Sequence, residues 1–220
     1  AYRLVARLSH GPRPSDSAAQ SMNASLRGLY AITPDALVRE PARLLDAVSA
    51  AVSGGAQLIQ YRDKHNAASE RLVLAHALVR RCHMAGARLI INDDAELAAA
   101  VGADGVHLGS TDGSLEAARE CLGPQALIGA ACGNSLERAR AALATGADHV
   151  AFGRFFASTT KPDAPPAELQ TLTLAKRELG AVICAIGGIT PDNGAQVIAA
   201  GADLIAAVDG VFGNAHIEAA

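Results

Sequence analysis

Seven times in this chain a glycine stands just before a short apolar run rich in β-branched residues: Gly55, Gly86, Gly102, Gly123, Gly146, Gly180 and Gly201. Such a glycine suits the left-handed position that closes a helix, and the run behind it suits a buried strand. The predicted strands are QLIQY from Gln57, RLIIN from Arg88, DGVHL from Asp104, ALIGA from Ala126, HVAFG from His149, VICAI from Val182 and DLIAAV from Asp203, with LRGLYAIT from Leu26 ahead of them. The stretches between have helical spacing, as in Leu72, Ala75, Leu78, Val79 and Cys82. Strands that alternate with helices pair in parallel, because each crossover must carry the chain back. Eight near-equal units, with no GxGxxG after the first strand, predict an α/β protein, a single-domain (β/α)8 TIM barrel rather than an open doubly wound sheet. Eight residues follow Phe212, so the last helix is expected to be short.

Composition agrees with a dense aliphatic core. Half of the 220 residues are apolar and 19% are charged, while aromatics are 3% and Trp is absent, which excludes disorder. A net charge of −3 offers nothing to nucleic acid or an anionic membrane, and no apolar run reaches the roughly 18 residues of a membrane span. Cys82, Cys121, Cys132 and Cys184 show no CxxC or zinc spacing and read as buried, reduced thiols suited to a cytoplasmic protein. Residues 1–25, with Arg3, Arg7, Arg13, Pro12 and Pro14, read as a flexible tail or an upstream appendage, the more so because Met22 stands just before the first strand. The barrel is expected over residues 26–220, and a homo-oligomer is left open.

In such a barrel, chemistry belongs to the loops after the strand C-terminal ends. The chain's unusual polar residues fall there: Gln60 to Lys64, Asn92 to Asp94, Gly109 to Asp112, Ser158 to Lys161, Gly187 to Thr190, and Val208 to Gly210. Two of only three lysines, Lys64 and Lys161, are among them; with Arg62 they read as an anion site, or, taken singly, as solvated loop cations. Gln60, Arg62 and Lys64 alternate along an extended segment and so share one side, with Tyr61 and Asp63 on the other. Asp93 and Asp112 follow neighbouring strands and suit either a hard cation such as Mg²⁺ or helix capping, the role in which Asp94 also fits. Gly187-Gly188, with Thr190 as N-cap and Pro191 at the first helical position, offers approachable N–H groups where barrels commonly hold a phosphate. The long Gly153–Pro166 loop is a candidate lid, and His107 reads as a core or supporting histidine. No Ser/His/Asp or Cys/His arrangement stands out, so covalent catalysis has no support.

The strings GLYAIT, QYRDK, INDD, GVHLG with Asp112, AFGRFF, STTKP and IGGIT occur in that order from Gly28 to Phe212. Together they resemble the thiamine-phosphate synthase family, which also contains the thiazole tautomerases. The resemblance implies a transferase that joins a hydroxymethylpyrimidine pyrophosphate to a hydroxyethylthiazole phosphate, releasing pyrophosphate in a dissociative, Mg²⁺-assisted step. It further implies that Gln60, Arg62, Lys64 and Asn92 hold the pyrimidine pyrophosphate and that Asp93 and Asp112 bind Mg²⁺. Ser158, Thr160, Gly188 and the backbone of Val208 and Asp209 would hold the thiazole phosphate, with Lys161 bridging to the leaving group; Arg62, Lys64 and Lys161 would be the catalytic cations. The chain departs from the family pattern at Ser110, where Gln is usual, at Ala131, where Ser is usual, and at Gly133, where an aromatic or His is common. The missing histidine counts against a tautomerase. A degenerate relative that binds thiazole phosphate without turnover is the other alternative.

Overall fold

The structure, a computed structural model, describes residues 26–158, 160 and 165–220. The N-terminal tail, Thr159 and Lys161 lie outside the described residues. In chain order the elements are β1 (Gly28–Ile32), α1 (Asp35–Val38), α2 (Pro41–Ser53), β2 (Ala56–Tyr61), α3 (Ala68–Met84), β3 (Arg88–Asn92), α4 (Ala95–Val101), β4 (Gly105–Leu108), α5 (Leu115–Leu122) and β5 (Leu127–Gly133). They continue with α6 (Leu136–Ala144), β6 (His149–Phe152), α7 (Leu169–Leu179), β7 (Val182–Ile186), α8 (Gly194–Ala199), β8 (Leu204–Ala207), α9 (Asp209–Phe212) and a 3₁₀ turn at Ile217–Ala219. The strands form one closed parallel barrel, with β8 pairing back to β1, so the expected (β/α)8 architecture is the one adopted. All seven punctuating glycines have φ between 60° and 115°, a region costly for any residue with a Cβ. Strand β5 runs on beyond the predicted ALIGA to Gly133, through an irregularity between Ala131 and Gly133.

Side chains alternate between two cores. On β2, Leu58 joins Tyr30, Ile32, Ile90, Cys184 and Leu204 inside the barrel, while Ile59 and Tyr61 face the helical layer. With both faces covered, the strands have little need of polar residues, which is why they read as continuous apolar runs.

A repeated device fixes the strand register at the N-terminal end. In each Gly-Ala-Asp triplet the aspartate donates its N–H to the preceding strand's carbonyl and accepts that residue's N–H on its carboxylate. Asp104 does so with Leu89, Asp148 with Ile128 and Asp203 with Ile183, all at 2.7–3.0 Å. Each carboxylate also meets a basic side chain: His83 at 2.8 Å, Arg119 at 2.7 Å and Lys176 at 2.7 Å. Arg119 further donates to the carbonyls of Ala126 and Gly146. Asp148→Ala therefore strands the Ile128 N–H and removes the carboxylate from Arg119, which keeps its backbone carbonyls, and is expected to cost about 2 kcal/mol. Urea denaturation reads this as a lower midpoint at unchanged slope; an unmoved midpoint would show that the device is ornamental.

Two expectations need correction. Cys121 is exposed, because it sits on the solvent side of α5; the other three thiols are buried, and burial pushes Cys82 and Cys184 up to about 12 and Cys132 up to about 11. Thr190 does not cap a helix at Pro191: residues 191–193 form a turn and α8 begins at Gly194. Asn193 causes this delay by taking the Thr190 N–H on its side-chain oxygen at 2.9 Å and donating to the Gly188 carbonyl at 3.0 Å.

Candidate active site

The strand C-terminal ends open into a cavity of about 650 Å³. On its β2–β4 side it is lined by Gln60, Arg62, Lys64, Asn92, Asp93, Ser110 and Asp112, and on its β6–β8 side by Ser158, Thr160, Gly188, Val208 and Asp209. Every described residue of the predicted site set is thus brought to one mouth.

The alternation along β2 explains the first group. Gln60, Arg62 and Lys64 point to the cavity, while Tyr61 and Asp63 turn outward, where the Tyr61 hydroxyl donates to Asp63 at 2.6 Å. Burial alone would raise the Asp63 pKa, but hydrogen bonds from Asn66, Tyr61 and His65 outweigh it and hold the carboxyl below its ordinary value. Asp63 stays ionised and ties down the loop that carries Lys64. The Arg62 guanidinium pairs with Asp35 at 2.7 Å, and Lys64 pairs with Asp93. Asn92 adds a 2.6 Å hydrogen bond to the same Asp93 carboxylate. Asp93 also has φ 64° and is the one non-glycine residue with positive φ among the described residues, a backbone state that aspartate tolerates better than most.

The helix caps are assigned residue by residue. Asp94 caps α4, accepting from Leu97 N at 2.8 Å, and Ser114 caps α5. Neither Asp93 nor Asp112 caps a helix, and both face the mouth. The Asp112 carboxylate folds over Gly109 so closely that a Cβ there would lie 2.3 Å from its oxygen, so the glycine leaves room for the carboxylate to turn inward. Two carboxylates opening on one shared space are a donor set that fits a hard cation such as Mg²⁺.

On the opposite side, backbone at Gly188 and Val208 is presented beside the side chains of Ser158, Thr160, Arg154 and Asp209. Gly188 has φ 64°, and a Cβ there would lie 2.1 Å from the Ala157 carbonyl, so only glycine lets the β6 loop settle on it. The lid candidate is tied at its base by Phe156 N to the Gly187 carbonyl at 2.9 Å and by Ala167 N to the Arg154 carbonyl at 2.7 Å.

The cavity floor holds Tyr30, which was not singled out from sequence, beside His107. Tyr30, whose hydroxyl accepts from Gln60 at 2.7 Å, stands edge-on to His107 and to the fully buried His149. Burial raises the Tyr30 pKa well above its ordinary value, so the phenol keeps its proton. Tyr30 was legible as the inward partner of Ile32 on β1. Arg138 and Arg154 also line the cavity, and no spacing rule links them to it.

The family model described as thiamine monophosphate synthase matches residues 29–211. The thiamine-phosphate synthase of Marinobacter nauticus is 56% identical over 188 residues, covering 85% of this chain and 83% of the relative. That of Methylococcus capsulatus is 53% identical over 191 residues, covering 87% and 84%. A solved thiamine phosphate pyrophosphorylase from Pyrococcus furiosus superposes with a TM-score of 0.79 at 33% identity, covering 90% of this chain and 92% of that one. A family model that spans most of the chain, relatives more than half identical over most of their length and a solved barrel of the same fold place the chain in the thiamine monophosphate synthase family.

Proposed function

We propose that this protein is a thiamine-phosphate synthase, joining a hydroxymethylpyrimidine pyrophosphate to a hydroxyethylthiazole phosphate with release of pyrophosphate. The observation that carries the reading is a single cavity with charged side chains on one side and approachable backbone with hydroxyls on the other. Two phosphorylated substrates, one of them a pyrophosphate, need such an asymmetric pair of anion sites.

In the reaction the thiazole nitrogen forms a C–N bond to the pyrimidine methylene as the C–O bond to pyrophosphate breaks. The nitrogen lone pair needs no deprotonation, which agrees with a mouth whose described residues hold no nucleophile–base pair. The demand is to hold a departing anion while positive charge grows on the methylene, a task for preorganised cations. Arg62 and Lys64, with Lys161 from the lid, supply them, and Gln60 and Asn92 orient the pyrimidine substrate. Ser158, Thr160, Gly188 and the backbone at Val208 and Asp209 hold the thiazole phosphate. Asp93 and Asp112 would hold Mg²⁺, which when bound neutralises pyrophosphate charge.

The alternatives are less well supported. A relative that merely bound thiazole phosphate would have no use for Lys64, Asp93 and Asp112, and Gly133 offers a tautomerase no side chain. No described helix is long and apolar enough to cross a membrane, and the thiols suit a cytoplasmic site of action. The test is incubation with both substrates and Mg²⁺, scored for thiamine phosphate and pyrophosphate in equal amounts. Activity is expected to vanish in excess EDTA and to return with added Mg²⁺. Full turnover in EDTA would refute the metal assignment, and absence of product while thiazole phosphate still binds would favour the degenerate binder.

A further inference from the structure

We propose that Arg138 is a substrate-binding residue that holds the pyrophosphate group, serving the β5 sector of the mouth in place of side chains at 131 and 133. The proposal rests on the synthase reading above. Strand β5 presents little there: Ala131 is exposed at the mouth with only a methyl group, and Gly133 has no side chain and φ 60°. A Cβ built on Gly133 would lie 4.0 Å from Arg138 Nη1, so the guanidinium borders the space that a residue at 133 would occupy.

The position of Arg138 on its helix is electrostatically unfavourable. Its N–H donates to the capping Ser135 hydroxyl at 3.2 Å, which puts the residue in the first turn of α6, at the positive end of the helix dipole. A cation there gains nothing from the helix. Two residues on, Arg140 is paired with Glu178, whereas the Arg138 side chain makes no hydrogen bond or ion pair with any described residue. It is an exposed cation lining the cavity.

Pyrophosphate is the group it suits. Strand β5 lies between β4, whose loop carries Asp112, and β6, whose loop carries Ser158 and Thr160. Arg62 and Lys64 on the pyrophosphate side are already partnered by Asp35 and Asp93. The thiazole phosphate carries less charge and has the backbone of the β7 and β8 loops. A guanidinium matches phosphate oxygens two at a time, and its charge does not titrate.

The test is calorimetric titration of inorganic pyrophosphate with Mg²⁺ into the native protein, Arg138→Met and Arg138→Lys, together with KM for each substrate. Arg138→Met is expected to weaken pyrophosphate binding about 10- to 100-fold and to raise KM for the pyrimidine pyrophosphate by a similar factor. KM for the thiazole phosphate should stay within about twofold, and Arg138→Lys should recover part of the loss because it restores the charge but not the fork. Unchanged pyrophosphate affinity in Arg138→Met, or an effect confined to the thiazole phosphate, would overturn the proposal. Lack of turnover by the native protein would remove the synthase reading, but the titration would still decide whether Arg138 holds pyrophosphate.

Discussion

Asp93→Asn is expected to leave a folded barrel whose kcat/KM has fallen by about 10² to 10³, because this carboxylate is one of the two that would hold the Mg²⁺ neutralising the departing pyrophosphate. Asparagine is the informative replacement because, like aspartate, it tolerates the left-handed backbone that φ 64° imposes, so the loop after β3 keeps its course. Its side-chain oxygen can still accept from Lys64. What disappears is the negative charge that partners Lys64 and, with Asp112, faces the mouth. The loss should be partly offset at high Mg²⁺ if the metal is held through this carboxylate. Circular dichroism and the thermal midpoint check that the variant folds. Activity within about threefold of the native protein would remove Asp93 from the machinery.

Much of this was legible because a barrel converts local signals into position. The punctuating glycines mark where each strand begins, the strand's length marks where it ends, and alternate residues about that end face the mouth. Gln60, Arg62 and Lys64 were found this way, since a two-residue period needs no knowledge of neighbours. What was missed depends on neighbours. Arg138 lies in the first turn of a helix rather than at a strand end, and its guanidinium lines the cavity beside the space that Gly133 leaves open. Thr190 was read as a cap from its place before Pro191, but Asn193 competes for the same backbone groups and wins by bonding at both ends. The choice between Asp93 and Asp94 as the capping residue turned on one backbone angle, which composition does not reveal. Cys121 was misplaced because a cysteine's average preference for burial says nothing about which side of α5 it occupies.

His149 carries the second large expectation. The imidazole is fully buried in the barrel interior, its ring 5.6 Å from that of His107 and 6.1 Å from that of Tyr30, and neither of its nitrogens has a partner among the described residues. Burial, only partly opposed by Asp148, pushes its pKa from 6.5 down to about 4. The unfolded chain takes up this proton as pH falls through about 6.5, while the folded protein resists until about 4. Between those values the unfolded state binds more protons, so acid favours unfolding. The contribution of the neutral ring is fully present above pH 6.5 and is lost as pH falls toward 4, about 3 kcal/mol in all and about 2 kcal/mol of it by pH 5. Denaturation of the native protein at pH 7.5 and pH 5, beside His149→Phe and the smaller His149→Asn, isolates this term because every other titratable group is common to all three. The variants are expected to lose about 2 kcal/mol less than the native protein between the two pH values, whatever their absolute stabilities. Equal losses would mean that the ring is solvated or already charged in the folded state. Neutrality at this depth also suits the proposed chemistry, since a buried imidazolium in the barrel interior would oppose positive charge developing on a substrate carbon in the mouth.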